Sequence, residues 1–553
     1  MVKYFRVALL CAMPGMWGTA YSAEPGPEPE VVAQEERVFV PVTEEMLLDP
    51  DPADWLMVHR TYDMTGYSPL DQINSSNVGQ LKLAWMRAMD VGPQELRPLV
   101  YDGVMYVAHP GSDHIQAWDA TTGDLIWDYK RELPSDLRNY QPQGNRTRNL
   151  AIYDDKIYHL TWDSYLVALH AHSGELLWET RIADYKDGIT HSSGAIIVKG
   201  KVISGRSCGF RNLGVRCFID AELDLIYWGV AVPAPYPRLI RRGTWDVGDK
   251  TPCELYTNST LAMDPDTGEI KWYYQHLPCD DWDADFVHER TLIDLVVDPD
   301  PGAVKWINPK VLDKQETRRV VVSMGEPGGL FVNDAETGEF LWAHPFPYDS
   351  IERFPIRDIN VNTGEVYINL NLVSKQVGHQ ITICGHNTKG WWSWSYSPLT
   401  QLLYIPINRT CLNQSPNPEA SQGASKGSMA EPGRGENAPM TELRALDLST
   451  GKLAWQFTQR APNAGATMAT GGNLVFFGDL NRRFRAFDAK TGKILWETIL
   501  GSLITGNPVT YSVDGKQYVA IPVGGGTLAQ ISRYTPELEA PSGSNMMVVF
   551  TLP

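Results

Sequence analysis

Apolar and polar positions alternate along this chain in short runs, and helical periodicity is weak throughout. Residues 100–107 (Val100-Tyr101-Asp102-Gly103-Val104-Met105-Tyr106-Val107), 151–159, 195–202 and 474–477 each read as strands around a tight turn. Between them one phrase returns six times. It runs from Ala117-Trp118-Asp119 through Gly123 to Trp127, and from Ala168 through Ser173-Gly174 to Trp178. It continues from Asp264 through Thr267-Gly268 to Trp272, and from Asp334 through Thr337-Gly338 to Trp342. The last two copies run from Asp447 through Thr450-Gly451 to Trp455, and from Asp488 through Thr491-Gly492 to Trp496.

The phrase has a mechanical meaning. A strand ends at the Asp, whose side chain can bond the backbone of a tight turn, and the Gly supplies a positive φ. A second strand then delivers a Trp that can wedge between neighbouring sheets. Two strand pairs make a four-stranded blade, so the expected fold is all-β, a radial propeller. The shortest interval, Trp455 to Trp496, is one blade. The interval Trp342 to Trp455 contains a Pro/Ser/Gly/Asn-rich stretch, 408–440, read as a long loop capping one face. The interval Trp178 to Trp272 should hold another full copy. It holds only Cys217-Phe218-Ile219-Asp220-Ala221 followed directly by Glu222-Leu223-Asp224-Leu225-Ile226-Tyr227-Trp228.

Composition narrows the class. With 43% apolar and 21% charged residues in 553, a large core is expected and disorder is not. The net charge of −18 and the lack of a Lys/Arg cluster argue against nucleic acid as a partner. Lys3 and Arg6, the apolar stretch 7–13 and Ala20-Tyr21-Ser22-Ala23 read as a signal peptide over 1–23, with 24–553 as one exported propeller domain, periplasmic or secreted. No later run has the roughly 20 apolar residues needed to span a bilayer. Removal of Cys11 leaves an even set, Cys208, Cys217, Cys253, Cys279, Cys384 and Cys411, which in an exported chain favours disulfides. There is neither CxxC nor CxxCH, so no zinc ribbon and no c-type haem attachment is expected.

Several segments resemble the pyrroloquinoline quinone (PQQ)-dependent alcohol dehydrogenases over nearly the whole exported chain. They are Asp54-Trp55, Tyr67-Ser68-Pro69-Leu70, Leu83-Ala84-Trp85, Tyr273-Tyr274-Gln275-His276-Leu277-Pro278 and 478–488. The nearest branch is similar to haem-free sorbose/sorbosone and deoxynivalenol dehydrogenases. The resemblance implies an eight-bladed propeller with the quinone near its axis, here with one blade open to being incomplete. It implies an alcohol as substrate, a Ca²⁺ or lanthanide ion beside the quinone, and a soluble cytochrome c as electron acceptor. It also implies the disulfides Cys384–Cys411 and Cys208–Cys217, which leaves Cys253 and Cys279 over as a third pair.

The resemblance assigns residues as well. Asp283, in Asp281-Trp282-Asp283-Ala284-Asp285, matches the carboxylate that takes the substrate hydroxyl proton and binds the metal. Asp285 makes an Asp-x-Asp arrangement like that of lanthanide-using members, since a trivalent hard ion favours more anionic oxygens than Ca²⁺ does; the other reading is a turn cap. Glu95, Arg148, Ser192 and Ser207 match cofactor contacts. The family's metal-binding Glu, expected before Leu213-Gly214-Val215-Arg216, falls at Asn212 if that segment is aligned, or is displaced into Cys208 to Asn212. The family's metal-binding Asn falls at Val232, and its cofactor-polarising Lys or Arg falls at Glu326. The junction Ala221-Glu222 skips on the order of 40 residues, which in relatives support the quinone. A propeller so shortened either recloses with fewer blades or leaves sheet edges unpaired. Trp391, Trp392 and Trp394 offer a stacking surface from the other side, or ordinary packing. Two further functions stay open at this point: a relative that folds without quinone, and a non-catalytic scaffold for outer-membrane assembly.

Overall fold

The repeated turns form as their residues dictate. In the computed structural model, Oδ1 of Asp119 accepts the backbone N–H groups of Thr121 and Thr122. Asp264 does the same for Asp266 and Thr267, Asp447 for Ser449 and Thr450, and Asp488 for Lys490 and Thr491. Gly123, Gly174, Gly268, Gly338, Gly451 and Gly492 take φ values from +70° to +79°, the left-handed region a Cβ disfavours. The structure describes residues 39–553 except 142–145, 191–192, 206, 209–214, 221–222, 247–252, 349, 436, 526–533, 539–540 and 542–543, with backbone only at 190, 207–208, 215–220 and 421. Residues 41–553 form one compact unit.

Among the described residues, seven sheets have four or five strands, nearly all in consecutive antiparallel order. The first is Leu99–Tyr101, Val104–Ala108, His114–Asp119 and Leu125–Lys130. The second is Ala151–Tyr153, Lys156–Leu160, Tyr165–His170 and Leu176–Arg181. One sheet joins the two ends of the unit: Lys82–Met89 pairs antiparallel with Asn545–Thr551, from Lys82↔Thr551 to Met89↔Asn545. Its other strands are Val509–Val513 and Lys516–Val523. Helices are short, as at Glu44–Leu48, Leu137–Tyr140 and Arg238–Arg242.

The Trp of the phrase locks each sheet to the next. Trp85, Trp127, Trp272 and Trp455 each donate an indole N–H to the carbonyl after the next turn's Asp or its equivalent: Ala120, Ala171, Ala335 and Ala489. Each ring lies against the turn Gly. A Cβ placed on Gly123, Gly174, Gly338 or Gly492 would come within 2.5–2.6 Å of the ring. Glycine is needed there for space as well as for φ.

The skipped stretch shows from both sides. Trp178 is 38% exposed, and among the described residues no turn receives it. Gly268 has no atom within 4 Å of its ideal Cβ, so no Trp covers its turn. Strands Ala195–Val198 and Lys201–Ser204 remain a two-stranded piece. The strand Val215–Asp220, which the repeat places third in that blade, instead pairs with Leu225–Val230 as the first strand of the next sheet. That sheet continues through Ser259–Met263 and Ile270–Gln275. A strand that the repeat places third in one blade thus stands first in the next, and the remaining piece keeps two strands; the junction residues 221–222 lie outside the described residues.

The stretch 408–440 is more ordered than the expected loop. Thr410–Pro416 and Ala424–Ala430 pair with each other, and Ile381–Cys384 pairs with the first of them. Disulfide Cys384–Cys411 crosses this cap sheet, as expected. Cys253–Cys279 is also formed. The side chains of Cys208 and Cys217 lie outside the described residues.

Candidate active site

The site has two neighbourhoods. The first is a partly open pocket, with about 560 Å³ of free space when the adjoining solvent is counted. Its lining includes His59, Arg148, Ser193, Gly205, Trp391 and Asn507. Glu95, buried just behind, accepts a 2.8 Å hydrogen bond from Arg148 Nε through Oε2. Asn507 Nδ2 donates to the Glu95 carbonyl and fixes that backbone. The Arg148 guanidinium lies 5.6 Å from the Trp391 ring centroid, one cation beside one aromatic face. Glu95 Oε1 and Trp391 Nε1 are buried without a hydrogen-bond partner. Burying such groups unpaired costs about 1–3 kcal/mol each, so a polar ligand is what this lining lacks. An aromatic tricarboxylate quinone fits that set: cations for its carboxylates, an indole for its rings and free acceptors and donors at its edge.

The second neighbourhood is a group of acids. Asp280 is buried and organises the loop, accepting the Trp282 and Ala284 N–H groups and Asn258 Nδ2. This leaves Asp283 at φ +65° with its carboxylate against Lys426. Asp285 Oδ1 accepts the Val232 N–H at 3.1 Å. Burial and then the Asp283 charge push the Asp285 carboxyl up to about 7. Glu326 is pushed up strongly by burial, then by Asp283 and Asp285. Burial, then Lys426, lowers the His386 imidazole to about 4. His386 is therefore neutral near pH 7 and adds no positive charge to the acids. Asp283, Asp285 and Glu326 thus repel one another and attract a cation, but among the described residues only Asp90, His109 and His114 bring three ligand atoms within 4.8 Å of one another.

Lys426 answers this charge in part. Its Nζ lies 2.5 Å from Asp283 Oδ2, and 3.6 Å from the centroid of the buried Tyr236 ring. The two neighbourhoods meet through the chain: the Glu326 carbonyl accepts N–H groups from Thr388 and Lys389, two residues before Trp391.

The expected residues fall out as follows. Glu95 and Arg148 are paired at the cavity, and Asp283 and Asp285 share the acid group. Ser192 and Asn212 lie outside the described residues. Ser207 has only its backbone described, pairing with Thr190 beside the cavity-lining Gly205. Trp391 reaches the cavity, whereas Trp392 and Trp394 are core. Lys426, His386, Ser193 and Asn507 were not visible as site residues. Only Glu326 carried a signal, as an acid where relatives have a base.

Comparison with known proteins agrees with this geometry. The profile of the family described as "Glucose/ethanol/alcohol dehydrogenase, beta-propeller domain" matches residues 55–214, 212–366 and 437–519. The dehydrogenase subunit of alcohol dehydrogenase (quinone) from Komagataeibacter europaeus is 30% identical over 561 residues, covering 86% of this chain and 72% of its own. A lanthanide-dependent methanol dehydrogenase of Methylacidiphilum fumariolicum is 28% identical, covering 87% and 86%. Among solved structures, a quinohaemoprotein alcohol dehydrogenase of Pseudomonas putida HK5 superposes with a TM-score of 0.82 at 26% identity, over 93% of this chain and 83% of that one. A europium-containing methanol dehydrogenase gives 0.78 at 26% identity, over 92% and 100%. The protein is a β-propeller oxidoreductase. It belongs to the PQQ-dependent quinoprotein alcohol dehydrogenase family.

Proposed function

We propose that this enzyme oxidises a primary or secondary alcohol to an aldehyde or ketone using PQQ and a Ca²⁺ or lanthanide ion, in the periplasm or outside the cell. The observation that carries this is the cavity lined by Arg148 and Trp391, with Glu95 bonded to Arg148, whose Trp391 segment is tied to the acid group through the Glu326 carbonyl. When bound, the quinone supplies a two-electron acceptor and the metal ion polarises it. Arg148, oriented by Glu95, would hold a quinone carboxylate, with Glu95, Ser192 and Ser207 as further cofactor contacts. Trp391 would cover one ring face. Asp283 and Asp285 would hold the metal ion, with Asn212 at a third family position. Asp283 takes the hydroxyl proton of the alcohol on a carboxylate oxygen as hydride leaves the carbon, so substrate loses two electrons and two hydrogens. The extra carboxylate at Asp285 favours a trivalent ion.

Export is supported by the basic and apolar start of the chain, residues 1–23, and by the two disulfides. A soluble cytochrome c fits as acceptor for an exported enzyme without attached haem; no described helix is long and apolar enough to cross a membrane. Reconstitution tests the proposal. The purified chain is loaded with PQQ and either Ca²⁺ or La³⁺, and dye reduction is followed over a panel of alcohols. Quinone-dependent turnover is expected, higher with La³⁺. Absence of both turnover and quinone binding with either metal would overturn the reading in favour of a relative that folds without cofactor.

A further inference from the structure

We propose that Lys426 is the positioning residue of Asp283, delivered from the cap sheet. It holds the base by one carboxylate oxygen and occupies the charge that a metal ion must share. The inference rests on the function proposed above for its turnover arm alone.

The cap sheet is built to grip the Asp283 loop. Lys426 lies opposite Gln414 in the pairing of Thr410–Pro416 with Ala424–Ala430. Both side chains reach the same short segment: Gln414 Nε2 donates to the Asp281 carbonyl, and Lys426 Nζ binds Asp283 Oδ2. The turn before Lys426 holds the far wall, because the Gln422 carbonyl accepts the Tyr236 N–H at 3.0 Å. The stem is confined as well, with the ammonium over the Tyr236 ring and the side chain 21% exposed. The sheet itself is tied by Cys384–Cys411. A long, flexible lysine is thus fixed at both ends, which an incidental surface ion pair is not.

The chemistry follows from charge. Asp285 and Glu326 each feel the Asp283 charge, and the Lys426 ammonium is paired with Asp283 Oδ2. While it holds Oδ2, Asp283 keeps one orientation against the repulsion of its neighbours. The same ammonium opposes an incoming cation. Its loss therefore pushes two measurable quantities in opposite directions: turnover down and metal affinity up. A merely structural lysine would lower both, because a loosened cap spoils the whole site.

The test uses the full chain. Tb³⁺ luminescence measures metal affinity of the quinone-free protein, and dye reduction measures kcat and KM after loading with PQQ. For Lys426→Met, kcat falls about 100-fold with KM little changed. Tb³⁺ affinity rises roughly tenfold. Lys426→Arg, which keeps the charge, stays near wild type in both. Should Lys426→Met fail to fold, Lys426→Gln takes its place with the same two readouts. An unchanged kcat, or an affinity that stays level or falls, overturns the proposal. If wild type itself shows no quinone-dependent turnover, the function proposal fails, and the Tb³⁺ arm still decides the role of Lys426.

Discussion

Two glycines with the same backbone angle should differ sharply in what an added methyl group costs. Gly174 and Gly268 sit in equivalent turns at φ +74° and +73°. Alanine at either position carries the same left-handed penalty, about 1–2 kcal/mol. At Gly174 the new Cβ would lie 2.5 Å from Trp127 Cε3, whereas at Gly268 it meets nothing within 4 Å. Relieving that clash displaces a ring that is 7% exposed, costing about 1–3 kcal/mol more. Losing the indole bond to Ala171 adds about 1 kcal/mol. Gly174→Ala should therefore destabilise by about 4 kcal/mol and Gly268→Ala by about 1.5. The matching donors behave alike: Trp127→Ala costs about 4 kcal/mol. Trp178→Ala, 38% exposed and undocked, costs about 1–2. Guanidinium unfolding followed by far-UV circular dichroism gives the midpoints at constant slope. Equal losses for the two glycines, or for the two tryptophans, would refute the docking account and with it the position of the missing copy.

Mild acid should weaken the seam that joins the closing sheet to the first sheet. Burial, then His114, lowers His109 to about 4; the unfolded chain takes up that proton near 6.5 and the folded one does not. Stability is thus present above pH 6.5 and is lost as pH falls toward 4, by on the order of 3 kcal/mol, and His109→Gln should flatten this slope in a series of thermal melts. Arg148→Ala should weaken quinone binding at least about 30-fold by removing the cation hydrogen-bonded to the buried Glu95, read by fluorescence titration; unchanged binding would remove the cavity from the cofactor site. Asp283→Ala should abolish dye reduction while leaving the circular dichroism spectrum unchanged, and retained turnover would remove its assigned role.

The fold was legible because its rules are local. Asp119, Thr121 and Gly123 determine a turn within a few residues, and Trp127 marks where that sheet meets the next, so blades could be read one phrase at a time. Even the missing copy was visible as an absent phrase. What could not be read was how the chain would reclose, since nothing local in Val215–Asp220 says whether it pairs as a third strand or a first. The site was legible in halves. Asp283, Asp285, Glu95 and Arg148 lie in segments long enough to match relatives. Lys426 lies in a Ser/Gly-rich run 143 residues from Asp283, where alternation is weak and no motif marks a strand. Its contact depends on a cross-strand pairing and a disulfide, both non-local.

The cap sheet bears on the acid group directly: Lys426 Nζ binds Asp283 Oδ2 and Gln414 Nε2 donates to the Asp281 carbonyl. Replacing both Cys384 and Cys411 by serine should then cost activity as well as stability, because the two cysteines are buried in one core with Trp282, Phe286 and Phe331 beside the Asp283 loop. A variant whose melting temperature fell while its turnover at permissive temperature stayed level would show instead that the cap is ordinary packing, and that the blades alone position the base.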